Sequence, residues 1–262
     1  MSSGLEAVGA RRRDCPIAMW SLLVSASAAL AFVQPSRRRP PGLHYASTKS
    51  IVDSMYDNAD TLGVGVRCSV VPPHDDERMR ELSPAQATRA WTYGELSYRG
   101  AEVLWKTLAL DPATTVFCDL GSGVGRLCIQ AHLQWGVAAS IGVELSQHRH
   151  GIAEKALQRL RDAGHVDPAR RLELRNGNAL VADVAEATLV YLACTCWDDE
   201  FVAALLRHLE AEASDLQWVV ATESFEEKFG LRPRFLELRE TVVLSQSWDD
   251  EWPVYIYRAT RE

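Results

Sequence analysis

The chain has 262 residues, of which 47% are apolar and 24% charged, proportions typical of one soluble globular domain with at most a small appendage. The net charge is −7, and because the first 39 residues hold six arginines and two acidic residues, the remainder carries −11. Such an acidic body argues against strong direct binding to nucleic acid and favours a basic, Lys-rich protein as partner. The six cysteines form no CxxC pair matched by a second Cys or His pair, so we predict neither a metal site nor a disulfide framework.

Residues 1–45 have the composition of a targeting segment and not of a folded domain. We expect the segment to be otherwise disordered. Three arginines precede an apolar run over 15–33, which ends at Ala29–Ala31 in the small-x-small pattern of a signal-peptide cleavage site. A phenylalanine and an acid-free, basic stretch follow, an order that resembles the two-part plastid address of certain algae. We therefore predict a plastid protein. The alternatives are an N-terminal membrane anchor, since the run is long enough to span a bilayer, or a start that is no signal at all, which would suit the nucleus.

Residues 46–110 are predicted to form a short helical lead-in to the main domain. A helix is expected over Ser47–Asp60, and the tetrapeptide Thr92–Glu95 is expected to form a loop. Ser97 is a suitable N-cap for a second helix over Tyr98–Leu110. The side chains expected to face inward from that helix are Val103, Leu104, Thr107 and Leu108.

The main domain, residues 111–262, opens with a pattern that predicts a nucleoside-binding βαβ unit. Val116–Leu120 is a short apolar run that predicts a buried strand, and the run stops at a glycine-rich turn. A helix over Val124–Trp135 and a second strand over Ala138–Leu145 follow, and Glu144 is expected at the carboxyl end of that strand. An acidic residue about 20 positions after the glycines can accept hydrogen bonds from two ribose hydroxyls. The residues of the turn that we predict to bind the ligand are Gly121, Ser122, Gly123 and Gly125.

The residues around the turn favour one kind of nucleoside. A dinucleotide-binding fingerprint would have glycine where this chain has Arg126, and the Asp119 carboxylate before the turn would repel a diphosphate. A carboxylate at this place suits a ligand with a cationic or amino group and no phosphate. S-adenosylmethionine has both a sulfonium and an ammonium, so we predict it as the cofactor. A nicotinamide enzyme and a purely structural glycine turn are the alternatives.

The rest of the chain alternates strands and helices, which predicts an α/β fold. The sheet is expected to have seven strands, mostly parallel, and to end in an antiparallel hairpin, as in the Rossmann-like class I methyltransferases, with the helical lead-in as an N-terminal appendage. His148 and His150 are expected at the surface. The remaining predicted elements are helices over Gln147–Ala163 (N-cap Ser146) and Asp198–Ala213, and strands over Arg171–Arg175, Ala187–Ala193, Gln217–Thr222, Arg239–Ser247 and Pro253–Ala259.

From Trp91 to Phe225 the chain resembles the catalytic domain of the disruptor-of-telomeric-silencing (Dot-one) protein-lysine methyltransferases. The resemblance rests on Thr-Tyr-Gly-Glu at 92–95, a helix, and Asp-Leu-Gly-Ser-Gly-Val-Gly at 119–125. It implies that Tyr93 and Glu95 close over the methionine end of the cofactor, and that Asp119 and Gly121 contact its amino-acid portion. Glu144 would bind the ribose. The family has an acidic residue for the adenine amine where this chain has Asn178, whose side-chain oxygen can accept the same hydrogen bond.

The reacting centre is expected at the carboxyl end of the fourth strand. The family has an Asn pair followed by an aromatic residue there, whereas this chain has Ala193-Cys-Thr-Cys-Trp197. Methyl transfer from a sulfonium is an in-line displacement that needs positioning more than acid–base chemistry, and aromatic walls suit both a cation and a desolvated amine. We predict Tyr93, Trp197 and Phe225 as those walls. The alternative for Trp197 is that it only packs on the sheet edge.

The sequence therefore predicts an S-adenosylmethionine-dependent protein-lysine methyltransferase, and the resemblance makes histone the expected substrate class. One alternative is a methyltransferase for a non-histone protein or a small molecule, for example in a plastid. The other is a non-catalytic module that binds the cofactor as a sensor. We expect a monomer.

Overall fold

A computed structural model describes residues 45–56 and 94–260 of the chain. The targeting or anchor prediction for residues 1–45 lies outside these residues, except at Tyr45. The prediction for Tyr93 lies outside them as well. The elements in chain order are α1 (Tyr45–Ser54), α2 (Tyr98–Leu108), β1 (Val116–Leu120), α3 (Arg126–Gln130), a π-helical turn (Ala131–Trp135), β2 (Ala139–Glu144), α4 (Gln147–Asp162), β3 (Arg171–Asn176), a 3₁₀ turn (Ala179–Val181), β4 (Leu189–Leu192), a second 3₁₀ turn (Cys194–Cys196), α5 (Asp199–Glu212), β5 (Trp218–Ala221), α6 (Phe225–Phe229), β6 (Leu236–Leu244) and β7 (Trp252–Ala259).

The seven strands form one sheet in the order β3-β2-β1-β4-β5-β7-β6. Strands β3, β2, β1, β4 and β5 are parallel neighbours, whereas β7 is antiparallel to both β5 and β6. The order reverses between β1 and β4, and open α/β sheets bind ligands in the crevice at such a point, outside the carboxyl ends of the strands. The predicted class I methyltransferase fold, with its closing antiparallel hairpin, is confirmed.

Helices cover both faces of the sheet, because the central strands are apolar on both sides. In β1, Phe117 packs on the face covered by α1 to α4, and Cys118 and Leu120 pack on the face covered by α5 and α6. Asp119 follows Phe117 by two positions and therefore points to the same face as Phe117. This alternation sets a carboxylate into an otherwise apolar layer, one residue before the strand ends.

The helix starts follow from side chains that satisfy free backbone N–H groups. Ser97 accepts from the Gly100 amide and Ser146 from the Arg149 amide, so both predicted N-caps are confirmed. Asp198 caps α5 by accepting from the Phe201 amide, although we had expected it to be the first helical residue. Ser224 in the same way starts α6, a short helix that the sequence pattern did not predict.

Several predicted boundaries and faces are wrong. The helix after the glycine turn begins at Arg126 instead of Val124, since Gly125 has φ +81°, and its last turn is π-helical. In α2 the buried stripe includes Trp105, which rotates the face so that Val103 is 40% exposed. His148 is exposed as predicted, but His150 is buried, and its Nε2 lies 3.4 Å from Glu154 Oε1. No helix within the described residues is long and apolar enough to cross a membrane.

Candidate active site

The turn after β1 is held in a conformation that glycine adopts readily. Gly121, Gly123 and Gly125 have φ of +91°, +56° and +81°. The Gly121 and Ser122 amides donate to the Val143 carbonyl at 2.8 and 3.1 Å, which ties the turn to the end of β2. A Cβ on Gly125 would lie 2.8 Å from Leu174 Cδ1, so backbone and β3 side chain approach closely there. The predicted glycine turn is thus present at the switch point of the sheet.

Glu144 lies at the carboxyl end of β2, buried beneath this turn. Its Oε2 accepts from the Gly123 amide at 2.8 Å and its Oε1 accepts from the Ser146 amide at 2.8 Å. The Arg149 guanidinium is 3.7 Å from Oε1. Each carboxylate oxygen retains a second lone pair, so the group can still accept ligand hydroxyls. Glu144 thus lies where a ribose-binding carboxylate is expected, and its contact with a ribose stays a prediction.

Asp119 is a buried carboxyl that lacks a partner within the described residues. It is 4% exposed, and its Oδ1 makes no hydrogen bond there. Burial, together with the nearby negative charges of Glu144 and Glu95, raises the pKa of Asp119 to about 8. Buried polar groups are nearly always paired, so an unpaired one beside a ligand-binding turn indicates a missing partner. A ligand ammonium would supply both the hydrogen bond and the opposite charge.

Tyr191 and Gln246 add further unpaired polar atoms next to Asp119, and the sequence interpretation missed both. Tyr191 on β4 is the register partner of Asp119 on β1, so the two side chains point to the same face. The Tyr191 hydroxyl and both amide atoms of Gln246 are buried without a hydrogen bond in the described part of the chain. Burial and the Asp119 charge raise the pKa of Tyr191, whereas nearby Gln246 lowers it. A tyrosine inside the apolar strand β4 was a signal for this pocket, but Gln246 reaches it only through the fold.

The loop before α2 is secured by the turn between β6 and β7. The Glu95 amide donates to Ser247 Oγ at 2.9 Å, and the Ser247 amide donates to the Glu95 carbonyl at 2.8 Å. A Cβ on Gly94 would lie 2.3 Å from the Trp248 ring, so only glycine admits this contact. The indole Nε1 of Trp248 is also buried without a partner in the described structure. We had predicted this turn only as a hairpin connection, yet it places Glu95 at the site.

Trp197 flanks the glycine turn. A Cβ on Gly121 would lie 3.2 Å from the Trp197 ring. The ring is half-buried and also meets Phe201 edge to face, with centroids 5.1 Å apart. The ring therefore packs on α5 and also borders the turn. Its role toward a substrate stays a prediction.

Phe225 and Asn178 are placed less favourably for their predicted roles. Phe225 is 1% exposed, stacks on Tyr257 at 4.6 Å, and donates its amide to the Tyr257 hydroxyl at 3.1 Å. A direct contact with an incoming substrate would require this ring to leave the core. Asn178 is exposed, and its Oδ1 accepts from the Leu180 amide at 2.9 Å, which leaves one lone pair for an adenine amine.

The described residues hold no metal-ligand cluster, and two of their buried thiols are kept protonated. No group of three or more His, Cys, Asp or Glu residues within 45–56 and 94–260 could hold a metal ion. Burial raises the pKa of the Cys118 thiol to about 12 and that of Cys194 to about 11, so both thiols stay protonated at neutral pH. Cys118, Cys128 and Cys194 lie in the core, whereas Cys196 is half-buried.

Comparison with known proteins agrees with this geometry. Residues 75–166 match the family model described as histone methylation protein DOT1. A Kluyveromyces lactis protein named histone-lysine N-methyltransferase, H3 lysine-79 specific, is 34% identical over 82 residues, which are 31% of this chain and 14% of that protein. The Candida albicans protein of the same name is 40% identical over 75 residues, 29% of this chain and 6% of its own length.

Each match thus spans 14% or less of these two relatives. Among solved structures, the magnesium protoporphyrin IX methyltransferase of Synechocystis PCC 6803 is 13% identical, with a TM-score of 0.49, over 84% of this chain and all of that one. The family match includes the turn over 119–125, Glu95 and Glu144, the residues that the sheet brings together around the unpaired Asp119 carboxyl. Residues 75–166 are thus similar to the DOT1 family, and the seven-stranded sheet has the strand order of a class I methyltransferase fold.

Proposed function

We propose that the protein is an S-adenosylmethionine-dependent methyltransferase that modifies a lysine amine. The observation that carries this proposal is the buried, unpaired Asp119 carboxyl at the end of β1, next to three glycines of positive φ. An ammonium would pair with the ionised form of this carboxyl, whereas a diphosphate repels the ionised carboxylate and offers no donor to it. The similarity to the DOT1 family supports the same cofactor.

The residues present fit the cofactor's amino-acid and ribose groups. Asp119 offers an acceptor for the ammonium, and the Tyr191 hydroxyl, the Gln246 amide and the Trp248 indole offer donors for the carboxylate. Glu144 offers its remaining lone pairs to the ribose hydroxyls. These groups belong to β1, β2, β4 and the β6–β7 turn, and that turn lies on the carboxyl-end side of the parallel strands because β7 runs antiparallel to β5.

When bound, S-adenosylmethionine supplies a methyl group that its sulfonium already activates. The chain then has only to hold a neutral amine in line and to exclude water. Trp197, beside Gly121, offers an aromatic face that accepts a lysine ammonium and permits its desolvation. A carboxylate fixed beside the sulfur would not help, since the positive charge would move from the sulfur to the amine nitrogen during transfer.

We propose histone as the substrate, on two grounds. The relatives in Kluyveromyces lactis and Candida albicans are named as specific for lysine 79 of histone H3. The body of this chain is acidic, which favours a Lys-rich partner. One observation favours the alternative of a non-histone or small-molecule acceptor: the turn over 194–196 after β4 lacks the amide side chains that the resemblance led us to expect.

Full-length protein incubated with methyl-labelled S-adenosylmethionine tests these proposals. Nucleosomes, free core histones and cell extract are offered separately, and Asp119→Asn is the matched inactive control. Label on histone lysine supports the first proposal, and label on another protein or a small molecule supports the alternative. Cofactor binding without any transfer would indicate a non-catalytic module, and no binding would overturn the site.

The address and the assembly state are separate proposals. We propose a plastid location from the N-terminal composition, and membrane association as its alternative. A fluorescent fusion of residues 1–50 distinguishes plastid, membrane and nuclear signals, and only the first agrees with the proposal. We also propose a monomer, which sedimentation of the full-length protein tests.

A further inference from the structure

The segment just after α1 touches the glycine turn directly. The Tyr56 hydroxyl donates to the Val124 carbonyl at 2.8 Å in a buried hydrogen bond. Val124 lies between two glycines of positive φ, and the bond adds to the Gly125 amide's bond to the Ser122 carbonyl in holding this peptide unit. The Met55 carbonyl in turn accepts from the Arg159 guanidinium on α4 at 2.7 Å, which holds the same segment against the body.

Arg126 provides a second connection between α1 and the site. This residue is 8% exposed, and its guanidinium lies 3.9 Å from the centre of the Tyr56 ring. Its Nε is 3.5 Å from Glu95 Oε1, and its Nη1 is 3.5 Å from Asp53 Oδ1. The Tyr98 hydroxyl is 3.4 Å from the same Nη1. One buried cation therefore spans α1, α2 and the Glu95 loop.

The groups around the Arg126 guanidinium explain why this cation is stable in a buried position. A buried guanidinium is stable only with anions or aromatic faces around it, and Glu95, Asp53 and the Tyr56 ring supply these. Arg126 is the first residue of α3, directly after the turn. Movement of α1 would therefore disturb the turn through Val124 and the Glu95 loop through Arg126 at once.

We propose that Tyr56 and Arg126 are positioning residues that make residues 45–56 part of the cofactor site. They hold Val124 and Glu95 in the arrangement that binds the ligand, without contacting it themselves. The proposal rests on the proposed function for its ligand, S-adenosylmethionine, and S-adenosylhomocysteine, the same molecule without the transferred methyl group, is the binding probe. The arrangement of the turn can also be measured without any ligand.

Tyr56→Phe in the full-length protein is the first test, because it removes only the hydroxyl. Ser140→Ala is the matched control, since the Ser140 hydroxyl also donates to a backbone carbonyl, that of Cys128, at 2.8 Å in the core. Both variants are expected to melt at a lower temperature. Only Tyr56→Phe is expected to bind S-adenosylhomocysteine more weakly, by roughly three- to tenfold, the range of one hydrogen bond. Equal affinities of the two variants would overturn the proposal.

Amide hydrogen exchange is the ligand-free test. The Gly123 amide donates to Glu144 and the Gly125 amide to the Ser122 carbonyl at 2.9 Å, so their exchange reports the turn. Faster exchange of both amides in Tyr56→Phe, but not in Ser140→Ala, supports the proposal even if the wild-type chain binds no cofactor. Unchanged exchange would contradict it. Arg126→Lys keeps the charge but not the planar fork, and it is expected to weaken binding less than additively when combined with Tyr56→Phe.

Discussion

Binding of S-adenosylhomocysteine is expected to release about 0.9 proton per site at pH 7, because a pKa of about 8 leaves Asp119 about nine-tenths protonated in the free protein. The bound ammonium requires the ionised carboxylate, so the proton must leave on binding. In the free protein, burial and the charges of Glu144 and Glu95 favour the protonated carboxyl. A bound ammonium favours the ionised carboxylate instead, so we expect the pKa of Asp119 in the complex to lie well below 7.

Titration calorimetry in buffers of different ionisation enthalpy measures this proton directly. Asp119→Asn is the control, because the amide keeps the shape of the side chain and carries no titrating proton. The control is expected to bind weakly, if at all, and to release no proton. A wild-type complex that forms with no proton release, or an Asn variant that releases as much, would refute the assignment of Asp119 as the ammonium partner.

The same shift has a consequence for the free protein. A carboxyl whose folded pKa lies above its unfolded value of 3.8 binds more protons in the native state. The stability of the unliganded chain is therefore lost as the pH rises from about 4 to about 8. Asp119→Asn is expected to raise the melting temperature more at pH 8 than at pH 5.

Three further predictions concern the fold and the site. Gly125→Ala is expected to destabilise the chain by about 1–3 kcal/mol, because φ is +81° and Leu174 blocks a Cβ. Gly151→Ala on α4, where the space around a Cβ is open, should stabilise the chain by about 0.5–1 kcal/mol. Denaturant unfolding that ranks the two variants in the reverse order would contradict this. Burial and the Arg170 charge lower the pKa of His132 to about 4, below the unfolded value of 6.5. The chain is therefore expected to lose stability as the pH falls from 6.5 to 4. If the melting temperature of His132→Gln falls equally over this pH range, His132 is not the cause. Trp197→Ala is expected to slow methyl transfer about tenfold or more while Trp197→Phe largely restores it; equal rates in the two variants would argue against an aromatic wall.

The local part of the site could be predicted from the sequence because its signals are short in range. The strand Val116–Leu120 stops at a glycine, and its structural bounds are the same as the predicted ones. Ser97 and Ser146 each precede an amphipathic run, and both cap their helices. Glu144 follows from counting along the next strand, and its side chain does reach the turn.

The contacts that complete the site connect residues far apart in the chain. Ser247 meets Glu95 across 152 positions, and Tyr56 meets Val124 across 68. No period or motif encodes such a pair, because each partner has an ordinary local environment. The wrong face of α2 has a different origin: Val103, Leu104 and Trp105 are consecutive and apolar, so the pattern allowed two stripes, and packing against Trp135 at 5.0 Å selected the one with Trp105.

The central claim is that the glycine turn beneath Asp119 binds a phosphate-free nucleoside that carries an ammonium group. Calorimetric titration of the full-length protein with S-adenosylhomocysteine, and separately with a nicotinamide dinucleotide, tests it most directly. We expect saturable one-to-one binding of the first ligand, lost in Asp119→Asn, and no binding of the second. Binding of the dinucleotide, or equal affinity of the wild-type and Asn proteins for S-adenosylhomocysteine, would contradict the claim.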